Sequence, residues 1–207
     1  NKLRTLSPNG CYALDNDQLT GNVNSDNCKN LDYIPSPYTN HLLDEFLCQG
    51  MIPILETNRG CPYSCSFCNW GAAELNKLKR FSLERVFMDL KYVAHHKSEF
   101  SEIYFCDANF GILARDVELA KYIAKKKSEH GYPQVMCVQN TKNQTERAYE
   151  TQKTLFDAGF ARGVLVAFQS VDQATLVATK RGNISLDSFA ELKSRFAKEG
   201  VPTSADF

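Results

Sequence analysis

From residue 51 onward the chain alternates short apolar runs with longer helical repeats, and this alternation restricts the fold more than any other feature of the sequence. MIPILET (51–57) reads as a buried strand. FSLERVFMDLKYVAHH follows, with Leu83, Val86, Phe87, Leu90 and Val93 at helical spacing behind a Ser82 N-cap. Further strands are expected at EIYFC (102–106), QVMCV (134–138) and GVLVAF (163–168), and a fifth begins in VPTSADF. Helices are expected over 113–131, 145–159 and 185–200, with a shorter one over 173–182. Strands separated by helices imply βαβ units, a parallel sheet and right-handed connections. Two closures are open, a doubly wound sheet and a full or partial (β/α) barrel; the nucleotide-binding versions of the first lose ground, because no glycine-rich phosphate loop follows any strand. In a parallel barrel function sits at the strand C-termini, which is where the cysteine-rich stretch after the first strand falls.

Before residue 45 the texture differs. NGCYALDNDQLTGNVNSDN reads as loops or a weak hairpin, and LDYIPSPY adds two prolines that favour extended backbone. Residues 1–45 are therefore expected to be an irregular lead-in, and 46–207 the core. Lys and Arg number 24, as do Asp and Glu, so the balanced charge offers no attraction to nucleic acid or an anionic membrane. The longest apolar runs are too short to span a bilayer.

Three of the eight cysteines, Cys61, Cys65 and Cys68, fall in RGCPYSCSFCNW just after the first strand. Cys106 and Cys137 sit in apolar strand-like runs, as buried free thiols do, while Cys11 and Cys28 lie in the lead-in. Clustering of this kind suits a metal site in a reduced, cytosolic compartment better than a set of disulfides. A structural zinc site needs four ligands, and the nearest histidines are distant in sequence. A four-iron cluster held by three thiolates keeps one iron open, which is the mark of a reactive centre.

Cys61-x3-Cys65-x2-Cys68, with Phe67 directly before the third cysteine, resembles the cluster loop of the radical S-adenosylmethionine (SAM) enzymes. The wider stretch, LDYIPSPY followed by ILETNRGCPYSCSFC, is similar to the subgroup that often carries a cobalamin-binding domain. The resemblance implies a [4Fe–4S] cluster on the three cysteines and SAM chelated to the open iron. One-electron cleavage to a 5′-deoxyadenosyl radical would follow, and that radical would abstract hydrogen from a substrate. It also implies an electron donor such as flavodoxin or ferredoxin, and for the subgroup cobalamin, through a domain not in this chain.

Several site residues follow from the same resemblance. Phe67 would lie near the adenine, Asp107 and Asn109 would accept from the methionine ammonium, and Tyr63 and Trp70 would shield the cluster. Gln169, Arg181 and Asp206 resemble a spaced trio that binds the ribose and methionine parts, the guanidinium meeting the carboxylate. Ser170 stands beside Gln169 in a polar pair that is costly to bury unless hydrogen-bonded. The blander readings are a capping turn for Asp107 and Asn109, a solvated arginine for Arg181 and a plain core position for Phe67. The family's barrel usually has six strands, so the chain is expected to be a fragment truncated after the fifth. The rival readings are a methylthiotransferase-like protein and a non-catalytic zinc or iron–sulfur module.

Overall fold

The computed structural model describes residues 11–15, 17–21, 30–71, 77–96, 101–141, 143 and 146–206. They fall into two compact units, Asn1–Ile34 and Pro35–Phe207. In the first, β1 (Tyr12–Asp15) and β2 (Gln18–Gly21) form the expected hairpin, antiparallel from Tyr12↔Gly21 to Asp15↔Gln18. A single helical turn follows at Leu31–Tyr33, where the Asn30 side chain accepts from the Asp32 N–H. Cys28 lies outside the described residues.

The second unit contains, in order, α1 (Asp44–Cys48), β3 (Ile54–Leu55), β4 (Asn58–Arg59), β5 (Lys79–Arg80), α2 (Leu83–His95), β6 (Glu102–Phe110), α3 (Ala114–His130), β7 (Val135–Asn140), α4 (Glu146–Asp157), β8 (Val164–Ala167), α5 (Gln173–Ala178), α6 (Leu186–Lys198) and β9 (Thr203–Asp206). It begins at Pro35 rather than residue 46, because 36–44 is bound to the core and is no free linker. Ser36 Oγ donates to Asp89 of α2 at 2.5 Å and accepts from the Tyr38 and Thr39 N–H groups. Tyr38 donates to the Ile54 carbonyl, and Tyr92 of α2 donates to Asp44.

The helices start and stop for local reasons. Ser82, Asp172 and Ser185 each accept the N–H three residues on, capping α2, α5 and α6. α3 ends at Gly131, whose φ of 69° needs no side chain to be accommodated. Each of the longer helices buries a stripe at 3.6 spacing, such as Val86, Leu90 and Val93 on α2 and Leu119, Ala120 and Ile123 on α3.

The fold is mixed α/β with parallel pairing, as expected. β3, β6 and β7 form one parallel ladder in that order, and β8 and β9 form another. The described ladders fall into separate parallel groups rather than one sheet. Among the described residues no ladder joins β7 to β8; a side-chain contact, Asn140 Nδ2 to the Leu165 carbonyl at 3.3 Å, bridges them instead. A cleft of about 680 Å³ runs along this seam, lined by Met136, Val138, Gly163 and Leu165 among others. The first strand is also shorter and less buried than MIPILET implied. Ile54 is 60% exposed, while its neighbour Leu55 is buried. β6, in contrast, runs past Cys106 to Phe110, and its extra residues carry the site.

α6 closes over the β8–β9 pair, burying Phe196 and Leu192 against Val164, Val166 and Val201. Tyr149 of α4 packs its ring 4.7 Å from that of Phe196. Phe196 is fully buried, so Phe196→Ala is expected to cost about 3–5 kcal/mol, as removing a core aromatic ring usually does. Chemical denaturation should show the loss as a lower midpoint at unchanged slope.

Candidate metal centre

The site is built from the C-terminal end of β6 and the loop that leaves β3. Along β6, Ile103, Phe105, Asp107 and Asn109 are buried in alternation, so the buried face turns from apolar to polar toward the strand's C-terminus. Asp107 is fully buried and reaches back fifty residues to the start of the cysteine loop. Its Oδ1 accepts from the Thr57 N–H at 2.6 Å and the Asn58 N–H at 3.2 Å. Its Oδ2 accepts from Asn58 Nδ2 at 2.7 Å and from the Thr57 hydroxyl. Arg115 of α3 adds a hydrogen bond to the Thr57 carbonyl at 2.6 Å. Asp107 thus fixes the chain just before the first cysteine. The capping alternative fails, since Asp116 accepts the Gly111 and Leu113 N–H groups at the start of α3.

Between this clamp and Cys61 stands Gly60 at φ 102°, a conformation that side chains rarely adopt, and the chain turns there into the loop. Cys61 and Cys65 are buried, Cys68 is half-buried, and all three are free of disulfides. Asn109 Nδ2 donates to Cys61 Sγ at 3.1 Å. Asn109 Oδ1 and Asn58 Oδ1 are buried without a hydrogen-bond partner among the described residues. The described residues hold no group of three or more His, Cys, Asp or Glu gathered to grip one metal ion. A cubane makes no such demand, because each thiolate meets a different iron.

The far side of the loop is tied to the segment after β8. The Ser66 N–H donates to the Thr179 carbonyl at 2.9 Å, at the end of α5. Two residues on, Arg181 is buried, which overturns the solvated-arginine reading. Its Nε donates to Asn183 Oδ1 at 2.8 Å, and Asn183 Nδ2 donates to the carbonyls of Phe168 and Ser170 at 2.7 and 3.0 Å. Those two carbonyls flank Gln169, which is exposed at a left-handed φ of 66°. Strain of that kind at a non-glycine residue collects at ligand-binding sites. Ser170 Oγ accepts from the Asp172 N–H and so belongs to the turn into α5. Asp206 pairs with Ala167 at the same end of its ladder, and its side chain lies outside the described atoms.

The structure therefore brings Cys61 and Asn109 into contact, and links the loop to the segment carrying Arg181 and Gln169. Phe67 is 55% exposed, so it is not a core residue, and Trp70 is 37% exposed. Sequence reasoning missed Thr57, Asn58 and Asn183. The signal for the first two was a polar pair wedged between an apolar run and Arg-Gly-Cys, and for Asn183 its place in the turn after Arg181.

Burial pushes the Asp107 carboxyl up to about 6, outweighing the Thr57 and Asn58 hydrogen bonds that pull it down. A carboxyl raised in the folded state stabilises most when protonated. Its contribution is full below about pH 4 and is lost as pH rises through about 6. Wild type is expected to lose up to about 3 kcal/mol relative to Asp107→Asn between pH 4 and 7, since each tenfold change in proton affinity on folding is worth about 1.4 kcal/mol. Parallel denaturation series over that pH range would measure the difference.

No family model matches the chain. Solved structures place its fold: it superposes on the radical SAM methyltransferase TsrM from Kitasatospora setae, with cobalamin and a [4Fe–4S] cluster bound, at TM-score 0.57 and 20% identity. That match covers 78% of this chain and 29% of TsrM. It also superposes on the cobalamin-dependent radical SAM enzyme OxsB, with aqua-cobalamin and SAM bound, at TM-score 0.61 and 17% identity, covering 95% of this chain and 29% of OxsB.

Sequence relatives narrow the class. The chain is 39% identical over 175 residues to the cobalamin-dependent radical SAM methyltransferase TokK of Streptomyces tokunonensis. It is 38% identical over 175 residues to the 2-(S-pantetheinyl)-carbapenam-3-carboxylate methyltransferase of Streptantibioticus cattleyicolor. Each match covers 82% of this chain, which spans about a quarter of the length of these two relatives. The resemblance read from the cysteine loop holds: this chain is homologous to cobalamin-dependent radical SAM methyltransferases. No described helix is long and apolar enough to cross a membrane.

Proposed function

We propose that this chain is the cluster- and SAM-binding core of a radical SAM enzyme, a partial (β/α) barrel acting in cobalamin-linked methyl transfer. The contact of Asn109 with Cys61, inside a loop clamped by Asp107, carries the reading. The donor set fits the group. Three soft thiolates suit iron–sulfur ligation, and the buried start of the loop keeps water from the sulfurs. A [4Fe–4S] cluster so held, once reduced, supplies the electron that splits a carbon–sulfur bond of SAM.

Cys61, Cys65 and Cys68 would hold the irons. Asn109 Oδ1, a buried acceptor with no partner among the described residues, suits the methionine ammonium. Arg181, held in place by Asn183, suits the methionine carboxylate, since a guanidinium can donate two parallel hydrogen bonds to it. Gln169, Ser170 and Asp206, at the C-terminal ends of β8 and β9, would meet the ribose, and the exposed Phe67 ring would lie beside the adenine. Asp107 sets the loop and does not itself contact SAM, because its oxygens are already occupied by Thr57 and Asn58.

The relatives and structural neighbours point to cobalamin as the methyl carrier, and no residue of this chain is assigned to it. A flavodoxin- or ferredoxin-like donor in the cytoplasm would supply the electron. Anaerobic reconstitution with iron and sulfide tests the core claim. A four-iron spectrum that changes on adding SAM is expected, whereas a colourless, stoichiometric metal would establish the zinc module instead.

A further inference from the structure

Asn109 does two things that a ligand-binding asparagine need not do together. Its Nδ2 lies 3.1 Å from Cys61 Sγ, and its Oδ1 is buried with no hydrogen-bond partner among the described residues. A thiolate only accepts, so it fixes which end of the amide faces the sulfur. The oxygen is thereby held pointing away from Cys61, at the end of β6. The amide cannot turn to satisfy the oxygen without losing its bond to sulfur, and the residue is 1% exposed, so bulk solvent does not reach it.

We infer that Asn109 is an amide bridge that raises the reduction potential of the cluster and couples that potential to SAM binding. This rests on the functional reading above. Adding one electron places more negative charge on the thiolate sulfurs, so an N–H donor stabilises the reduced cluster more than the oxidised one. An ammonium accepted at Oδ1 polarises the amide and strengthens its N–H donor, so binding at one end favours reduction at the other. The coupling is reciprocal: reduction tightens SAM binding by the same factor.

The test is a potentiometric titration, followed by electron paramagnetic resonance, of the reconstituted protein and of Asn109→Leu and Asn109→Asp. Leucine removes both ends of the bridge and reads the lost donor; aspartate keeps the shape and the outward acceptor but puts a charged oxygen where the N–H was. Without SAM, Asn109→Leu should be harder to reduce by roughly tenfold in the reduction equilibrium, about 59 mV for a one-electron couple, and Asn109→Asp by more, since its charge adds to the lost donor. In Asn109→Leu the further rise on adding SAM should shrink. Iron content and thermal midpoint identify which variants are folded and loaded, and either one alone gives the potential. An unchanged potential in a loaded variant overturns the inference while leaving the functional reading intact. A wild-type protein that takes up no cluster, or whose cluster ignores SAM, overturns both.

Discussion

Cys65→Ala is expected to leave a folded protein that retains almost no iron after anaerobic reconstitution and desalting. Cys65 is 1% exposed and lies between the other two cysteines of the loop. Alanine removes one small side chain, which the fold should tolerate, but it leaves two thiolates where a cubane needs three. The result should be the same for Cys61→Ala and Cys68→Ala. Cys106→Ala should keep its iron, since that thiol sits outside the loop with its Sγ directed to the Leu55 carbonyl at 3.3 Å. Equal iron retention in Cys65→Ala and wild type would remove the basis for assigning the loop to a cluster.

The second large effect is structural and should appear before any metal is added. In Asp107→Ala the donors of Thr57 and Asn58 lose their shared acceptor in a fully buried place. Each orphaned donor costs about 1–3 kcal/mol, so a total loss of at least about 3 kcal/mol is expected. For a chain of this size that corresponds to roughly 6–12 °C in Tm. Cluster uptake should fall as well, because the clamp sets the entry to Cys61 through Gly60. A variant that unfolds at the wild-type temperature would mean that β4 is held by other contacts.

The features most legible in the sequence were those encoded over a few residues. Ser82 announced α2 by a cap and a periodic stripe, the helix over 185–200 was read from its periodic stripe, and the three cysteines marked the candidate site by their spacing. What escaped depends on residues far apart in the chain. Asp107 finds its partners fifty residues upstream, and nothing in CDANF names them. For Arg181 the polar turn left a solvated reading open beside the binding one, and only the structure, with Asn183 bridging it to the Phe168 and Ser170 carbonyls, shows it buried. The lead-in was misjudged for a similar reason. Prolines and polar residues read as linker, yet Ser36 and Tyr38 anchor that segment to α2 and β3. The break between β7 and β8 was equally invisible, since strand-like runs do not record which neighbours they pair with.

That break bears on how the molecule comes apart. The β8–β9 pair and α6 centre on Phe196, against which Tyr149 of α4 also packs, and between β7 and β8 one amide contact from Asn140 stands where a row of backbone bonds would otherwise run. Parting β7 from β8 would sacrifice little backbone pairing, and what holds the two sides together is the packing of Tyr149 on Phe196 and the bond from the Ser66 N–H to the Thr179 carbonyl.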